Sequence, residues 1–392
     1  MHETPHHSLR WPMIVAVSAL LALPVLTLWN IAMTPHEPKL AVAIGPRLAG
    51  VTDPIKWPAS WRELLDQSWQ KAVGQSVNRS NPLTPLFVRL NNELRYALFG
   101  YISAPGVLEG RRHQLVEAPY LSEYCVRSVP EAVRRAKAFI PVLRDIQSYY
   151  RARGKVFVYV ISPSKVAHQP DDFVALIDCP SPERDRRDYL GAFVAPLREA
   201  GIAVVDTASL IHRRQDKYDV PLFPQGGVHW NKLGAGIGGQ AVLDEIDRQA
   251  GRVVVPPFAF AYTIAKAPEG MDRDLADLMN VFFPPLTYRT PDVTFQPSIS
   301  CEQSPARNLN AVIVGDSFSD LLGEILVSAA CMSDLKNYRY LRLSRFRNSV
   351  DGLTPQDLQP ILDADVAILE ENEAWVSGGA FSAELHDLVM GK

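Results

Sequence analysis

The pattern of apolar and polar residues begins with one long apolar segment. Residues 11–33 read WPMIVAVSALLALPVLTLWNIAM and include no charged residue. A helix of this length reaches across the roughly 30 Å of a bilayer's hydrocarbon core. We predict an uncleaved transmembrane anchor, because the run is longer than the apolar core of a usual signal peptide and only Arg10 precedes it as a basic residue. A cleaved signal peptide is the main alternative.

The rest of the chain alternates between two periodicities. Apolar residues at three- and four-residue steps predict helices at 128–154, 184–200, about 231–250 and about 318–330. Runs rich in β-branched residues predict strands at 155–161, 202–206, 311–314, 338–343 and 366–369. This alternation indicates an α/β fold with a parallel sheet and helices on both faces. Because ligands of such sheets bind at the carboxyl ends of the strands, candidate functional residues are expected there.

The same pattern suggests a division of the chain. We predict a short cytoplasmic tail at 1–10, the anchor, a stem with leading helices at 34–84, and one α/β domain at 85–392 with an insertion at 251–300. The insertion is rich in aromatic residues, which could stack on sugars or form a satellite hydrophobic cluster; we expect the cluster for most of them. They are Phe258, Phe260, Tyr262, Phe282, Phe283 and Tyr288.

Charge and cysteine content narrow the function classes. The net charge is −3 and there is no long Lys/Arg run, so binding to nucleic acid is not expected. The four cysteines lack zinc-binding spacing, and no metal or cofactor is expected. We predict disulfides, formed in an oxidising compartment, with buried free thiols as the alternative. Cys301 precedes a strand and Cys331 ends the helix that returns beside it, so these two are expected to pair. Cys125 and Cys179 would then pair by elimination.

Three polar segments follow strands or loops of the predicted sheet. Gly315-Asp316-Ser317-Phe318 comes after the strand at 311–314, where Ser317 could be a nucleophile with an oxyanion near the helix N-terminus, or simply a helix cap. His229-Trp230 precedes a helix, and a histidine is the usual base for a serine.

The third segment, Glu370-Glu371-Asn372-Glu373, follows the last strand. It could orient the histidine or donate to an oxyanion, or could be a solvated polar loop.

Together these motifs resemble the SGNH-like proteins of alginate and exopolysaccharide O-acetylation. The resemblance spans about residues 85–375 and includes GDSF, the His-Trp pair, SPSK at 162–165 and ENE at 371–373, with weaker matches at YALFG (96–100) and Asp274-Leu275. It implies a flavodoxin-like SGNH fold. The histidine precedes the serine, as in the circularly permuted acetyltransferase branch.

The resemblance also implies roles and partners. Ser317 would be the nucleophile, His229 the base, and Asn372 the oxyanion-hole asparagine. A membrane-bound acyltransferase would supply acetyl, and a polysaccharide hydroxyl would accept it. The implied location is the inner membrane, with a single span and the catalytic domain in the periplasm.

One position departs from the family pattern. The family has Asp two residues before the histidine, whereas this chain has Gly227. A triad needs a group that orients the imidazole. We expect this group to be Glu370, Glu371 or Glu373, in preference to Asp216 or Asp219, which lie in a predicted loop before the histidine. If a backbone carbonyl orients the histidine instead, the site is a Ser–His dyad, and Gly227→Asp would then raise esterase activity. The alternatives are an acetylesterase of the same fold and an inactive glycan-binding or assembly protein.

Overall fold

The structure is a computed structural model that describes residues 10–34, 40–50, 55–58, 60, 62–65, 67–287, 289–339 and 355–391. The chain forms two compact units. The first comprises residues 1–105 with 277–284, and the second comprises 106–276 with 285–392. These bounds differ from those expected from the sequence, because the helix after residue 84 and part of the 251–300 insertion belong to the first unit.

Four α-helices lie in the described part of the first unit. They are α1 (Arg10–Met33), α2 (Arg62–Leu65), α3 (Ser68–Ser80) and α4 (Thr84–Phe99). Most described residues of α1 are exposed, and the helix is long and apolar enough to be a candidate membrane span. Near its C-terminal end the buried Asn30 donates to the carbonyl oxygens of Val42 (2.7 Å) and Ser80 (2.8 Å), which fixes this end of α1 within the unit.

The second unit is built on a parallel sheet, of which five strands lie among the described residues. Its strands are β3 (Val156–Ser162), β4 (Val204–Asp206), β7 (Ala311–Gly315), β8 (Lys336–Arg339) and β9 (Val366–Asn372). They lie in the order β4-β3-β9-β7-β8. Because Ser162 is in register with Asn372, and Val314 with Leu369, the carboxyl ends of the three central strands lie at one edge.

Helices cover both faces of this sheet, as the sequence predicts. One face packs against α6 (Val129–Arg151), α8 (Glu183–Glu199), α13 (Pro355–Asp363) and α14 (Ala380–Val389). The other packs against α9 (Thr207–Arg214), α10 (Lys232–Ala250) and α12 (Ser319–Ser328). All residues of β3, β7 and β9 are buried, which explains why these strands read as continuous apolar runs.

Several smaller elements complete the unit. Two pairs of antiparallel strands form small two-stranded sheets: β1 (Val107–Glu109) with β2 (Leu115–Glu117), and β5 (Phe258–Ile264) with β6 (Pro291–Pro297). Short helices are α5 (Ala118–Cys125), α7 (Lys165–His168) and α11 (Asp274–Leu278), the last of which begins in this unit.

Both cysteine pairs are disulfide-bonded in the expected combination, Cys301–Cys331 and Cys125–Cys179.

The aromatic residues of the insertion have different environments. Phe258 and Phe260 pack against Phe295, with ring centroids 5.6 and 6.3 Å apart, and form a local hydrophobic cluster. Phe283 is exposed. Tyr288 lies outside the described residues, and so does most of the strand predicted at 338–343, of which β8 covers only the first two positions.

Candidate active site

The serine motif lies in the short connection between β7 and α12. Ser317 is buried, and its carbonyl oxygen accepts from the Asp320 N–H at 3.4 Å in the first turn of α12. Gly315 is required by packing, since a Cβ there would lie 2.6 Å from Glu370 Oε2. Because Ser317 comes two residues after the end of β7, it lies at the carboxyl edge of the sheet, beside the end of β9.

Asp316 fixes this connection from within. Its Oδ1 accepts from the Phe318 N–H (2.8 Å) and its Oδ2 accepts from the Asn372 N–H (2.9 Å), so the carboxyl group joins the ends of β7 and β9. Glu370 in turn accepts from the Asp316 N–H at 3.1 Å. Burial raises the pKa of Asp316 and raises that of Glu370 well above its usual range. Both residues support the backbone next to Ser317.

The histidine lies in the 221–231 loop, and Asn231 at its end is hydrogen-bonded to the residues at its beginning. The Asn231 side chain accepts from the Gly234 N–H (3.0 Å), which caps α10, and donates to the Pro221 carbonyl (2.6 Å). The Asn231 main-chain N–H donates to the Leu222 carbonyl at 3.0 Å. This closure holds His229 at the start of the helix.

Two contacts bring the histidine loop to the serine motif. The indole of the fully buried Trp230 donates to the Phe318 carbonyl at 3.4 Å. The rings of His229 and Phe318 pack against each other with centroids 4.8 Å apart. The structure thus brings together Ser317, His229, Trp230 and the GDSF backbone, all of which the sequence singled out.

The group that orients the imidazole is Asp274, at the start of α11. Its Oδ2 accepts from His229 Nδ1 at 2.6 Å. Its Oδ1 accepts from the N–H groups of Val228 (3.0 Å) and Leu275 (2.7 Å), so the carboxylate is held on both sides. Among the described residues His229 Nε2 has no hydrogen-bond partner, Ser317 included. Asp274 thus occupies the position that a triad acid requires.

Gly227 explains why this acid comes from elsewhere. A Cβ at this position would lie 2.1 Å from the Met271 carbonyl oxygen and 2.9 Å from Pro224 Cγ. The segment that leads into α11 fills the space that an aspartate side chain would need. The expectation for Gly227→Asp applied only to a dyad, and the Asp274 contact removes that condition; the close contacts also leave no space for an aspartate side chain.

The acidic residues at the end of β9 do not orient the histidine. Glu371 accepts from the Tyr159 hydroxyl (2.7 Å), the Ser377 N–H (2.8 Å) and the Ser382 hydroxyl, and burial raises its pKa to about 7. Glu370 supports Asp316, as described above. The proposed orienting role of Glu370, Glu371 and Glu373 is incorrect, because these side chains point to structural partners within the sheet and its helices. Nor do they form a solvated loop, since all three are buried.

Glu373 lies at the centre of a buried charged network. Its carboxylate accepts from the Ser164 N–H (2.6 Å), from His212 Nε2 (2.8 Å) and from the Arg127 guanidinium (3.3 Å). Although burial opposes ionisation, the charges of His212 and Arg127 lower the pKa of Glu373 to about 2. This network fixes the residues that follow β3.

Asn372 does not have the geometry expected of an oxyanion-hole residue. Its side-chain amide donates to the Pro163 carbonyl (2.9 Å) and to Ser162 Oγ (3.4 Å), and its side-chain oxygen accepts from the Ala374 N–H (3.0 Å). All of its polar capacity is used within the ends of β3 and β9. The expectation is corrected, because a fully buried amide with these partners has no donor left for a substrate.

Sequence reasoning missed Lys165 as well as Asp274. Lys165 is the last residue of the SPSK motif and is buried, and its ammonium contacts the loop that carries His229. Glu117 is a further carboxyl near the site; burial and the charge of Asp274 raise its pKa. The only sequence signals were the SPSK motif and the Asp274-Leu275 pair, neither of which indicates contact with a histidine far away in the chain.

Comparison with known protein families decides the relationship. A family model described as SGNH hydrolase-like domain, acetyltransferase AlgX, matches residues 121–323, which is more than half of the chain and includes Ser317, His229 and Asp274. The chain belongs to this family. No curated protein matches it by sequence.

Solved structures with similar folds carry related descriptions. The O-acetyltransferase domain of Pseudomonas putida AlgJ is 18% identical over 74% of this chain and 100% of its own, with a TM-score of 0.47. Pseudomonas aeruginosa AlgX is 16% identical over 72% and 67%, also with a TM-score of 0.47. Bacillus cereus PatB1 with a sulfonyl adduct is 12% identical over 70% and 99%, with a TM-score of 0.44. These similarities are weak, and the assignment rests on the family match. The chain thus has an AlgX-type SGNH acetyltransferase domain, with a parallel central sheet between helices.

Proposed function

We propose that this protein is a polysaccharide O-acetyltransferase of the periplasm, in which Ser317 carries the acetyl group. One observation carries the proposal: within an AlgX-type acetyltransferase domain, His229 donates to Asp274 at 2.6 Å while its ring packs against the residue that follows Ser317. A serine activated by a histidine that an acid orients is the general arrangement for acyl transfer. The alternative of an inactive glycan-binding or assembly protein rested mainly on the missing aspartate at position 227. Because Asp274 contacts His229 in its place, that alternative loses its main support.

The proposed reaction has two steps. Ser317 Oγ attacks the carbonyl carbon of the acetyl donor, its proton passes to His229 Nε2, and the leaving group departs with that proton. Asp274 stabilises the imidazolium that exists after His229 has taken up the proton and before it gives the proton away. A sugar hydroxyl then gives its proton to His229 and attacks the carbonyl carbon of the acetyl-serine ester. As the bond between this carbon and Ser317 Oγ breaks, His229 returns the proton to Oγ, which regenerates both residues and leaves the acetylated sugar. The Ser317 N–H and the first turn of α12 are the proposed donors to the oxyanion, since Asn372 is engaged elsewhere.

The partners follow from the family rather than from any contact. The acceptor is a polysaccharide, and a membrane-bound acyltransferase would deliver the acetyl group across the inner membrane. The helix α1 would hold the domain at the periplasmic face as a single-pass anchor. If water replaced the sugar hydroxyl as the acceptor, the same site would act as an acetylesterase. The experiment therefore has to measure which acceptor receives the acetyl group.

The test uses the full chain in detergent with a chromogenic acetyl ester, with and without oligosaccharide acceptors. We expect acetylated oligosaccharide by mass spectrometry, and an acetyl adduct on Ser317 when the acceptor is omitted. Ser317→Ala should remove both. The matched control is Ser328→Ala, an exposed serine at the end of α12, which should keep wild-type activity.

The outcomes separate the alternatives. Release of acetate alone, unchanged by any acceptor, would favour the esterase. An adduct that persists in Ser317→Ala would rule out Ser317 as the nucleophile. Absence of both adduct and turnover in the wild-type protein would return the inactive assembly protein to consideration.

A further inference from the structure

Lys165 is a buried cation whose hydrogen bonds all go to backbone carbonyls. It follows β3 as the first residue of α7 and is 1% exposed. Its Nζ donates to the carbonyl oxygens of Leu115 (2.7 Å), Gln225 (2.9 Å) and Gly227 (2.8 Å). An ammonium group has three N–H donors, and here each has one acceptor.

The three acceptors belong to two segments that meet at Gln225, shortly before the histidine in the chain. Leu115 begins β2, and its N–H donates to the same Gln225 carbonyl at 2.9 Å. Gln225 and Gly227 lie four and two residues before His229. Both carbonyls accept from the same atom, Lys165 Nζ. The position of this atom therefore fixes the peptide units that lead to the imidazole of His229.

We propose that Lys165 is a positioning residue that holds the 225–229 segment in the place where His229 meets both Asp274 and the serine motif. The Val228 N–H already donates to Asp274 at 3.0 Å, so the peptide between Gly227 and Val228 is held by Lys165 on its carbonyl and by Asp274 on its N–H. A shift of this peptide would move His229 relative to Ser317. Small displacements of catalytic groups reduce rates strongly. The inference rests on the proposed Ser317–His229 chemistry.

The electrostatics of Lys165 indicate that its main effect is on the position of the His229 loop and not on the free energy of folding. Burial lowers the pKa of Lys165 to about 7, and the nearby negative charges of Asp274 and Asp172 oppose this shift only in part. The transfer of this ammonium group from water to the interior therefore costs free energy, which limits the net contribution of its three hydrogen bonds to folding. Three directional contacts to carbonyls, by contrast, define a single position for the loop.

The experiment replaces Lys165 with Met and follows three readouts. They are the circular dichroism spectrum, kcat and KM for a chromogenic acetyl ester, and the downfield proton resonance of the His229–Asp274 hydrogen bond. We expect a folded protein with KM within about threefold of wild type, a kcat reduced about 100-fold as for other displaced catalytic groups, and a broadened or absent resonance. The matched control is Lys155→Met, at the opposite end of β3, where a half-buried lysine pairs with Asp365 at 3.2 Å. This control should leave kcat and the resonance unchanged.

A second variant covers the case in which Lys165→Met does not fold. Lys165→Arg keeps the charge, but a planar guanidinium cannot place its donors on the same three carbonyls. We expect it to fold with a reduced kcat and a shifted resonance. Wild-type kcat and an unchanged resonance in either folded variant would overturn the proposal. If the wild-type protein itself shows no adduct on Ser317, the proposed function fails, while the resonance still reports whether Lys165 positions His229.

Discussion

The carboxylate of Asp274 is the contact that distinguishes His229 from an ordinary loop histidine. Asp274→Asn keeps the size of the side chain but removes the acceptor that selects the Nδ1–H tautomer and stabilises the imidazolium. We expect kcat/KM for acetyl transfer to fall about 10²- to 10⁴-fold, in line with the effect of this change in other triads. Steady-state kinetics with the chromogenic ester measures it.

The control for Asp274 is Asp216→Asn, an exposed acid that precedes the histidine in sequence. It should retain wild-type kcat/KM. If Asp274→Asn is as active as Asp216→Asn, the site is not a triad and His229 acts without an acid.

For Gly227→Asp the structure predicts lower activity, whereas the sequence alone suggests higher activity in the case of a dyad. Because a Cβ would lie 2.1 Å from the Met271 carbonyl, Gly227→Asp should displace the segment that leads to Asp274. We expect a loss of about 1–3 kcal/mol in the free energy of unfolding, typical of overpacking, together with lower activity. Urea melts and ester hydrolysis measure the two effects.

A matched glycine provides the comparison for Gly227. At Gly191 in α8 an added Cβ meets no atom within 4 Å, so Gly191→Ala should be tolerated while Gly227→Ala should not. Higher activity in Gly227→Asp than in the wild type would show that the acid belongs at 227 and that Asp274 is not the orienting group.

At this scale the sequence reveals two of the three proposed catalytic residues. Ser317 and His229 stand in short local motifs beside a predictable strand and helix. Asp274 is 45 residues after the histidine and reaches it only through the path of the chain. No periodicity encodes such a contact, and the absence of Asp at 227 signals only that another group is needed.

Among the secondary-structure elements, the central strands could be predicted well and the environment of their ends could not. Continuous apolar runs give β3, β7 and β9 to within a few residues, because these strands are buried on both faces. The charged residues at the end of β9 and just after it look solvated in sequence, yet Glu371 and Glu373 are buried with partners from other elements. Whether an acid is buried depends on which helices cover the strand end, and this information lies far away in the chain.

The buried carboxylate of Glu373 predicts a pH-dependent stability. Its pKa of about 2 lies below the ordinary value of 4.5, so its ionised form stabilises the fold above pH 4.5, and this stabilisation is lost as the pH falls toward 2. Glu373→Gln removes the negative charge that faces Arg127 and His212, while Arg127 keeps its ion pair with Glu123 at 3.0 Å. It should lower the free energy of unfolding at pH 7 by about 1–3 kcal/mol, as expected when buried charged hydrogen bonds are weakened. The difference between variant and wild type should shrink below pH 4.5. Urea melts at pH 7, 5 and 3 measure it.

Glu131 is the control for this effect. Hydrogen bonds from Arg134 and Arg135 also lower its pKa to about 2, but it lies at the surface of α6, where solvent screens the pairs. Glu131→Gln should change stability little at any of these pH values. A pH-independent difference between Glu373→Gln and wild type would contradict the charged network described for Glu373.

For the whole molecule, the apolar N-terminal helix is long enough to be a membrane anchor or a signal sequence, and its length and composition do not distinguish the two. The structure adds one argument for the anchor. Asn30 in α1 accepts from the Val42 N–H (2.7 Å) and donates to the carbonyls of Val42 and Ser80, so the end of the helix is built into the first unit. A segment that is to be cleaved has no need of polar contacts with the mature chain.

We therefore predict that α1 remains attached and that the protein stays in the membrane. Most described side chains of the helix are apolar and exposed, and contact with lipid tails would remove them from water. Membranes from cells that express the full chain should retain it after a carbonate wash, with an intact N-terminal peptide by mass spectrometry. Replacing residues 1–33 with a cleavable signal peptide should release the protein into the periplasmic fraction. If the protein expressed from the unaltered sequence is instead recovered in that fraction and begins after residue 33, the apolar segment is a signal peptide and not an anchor.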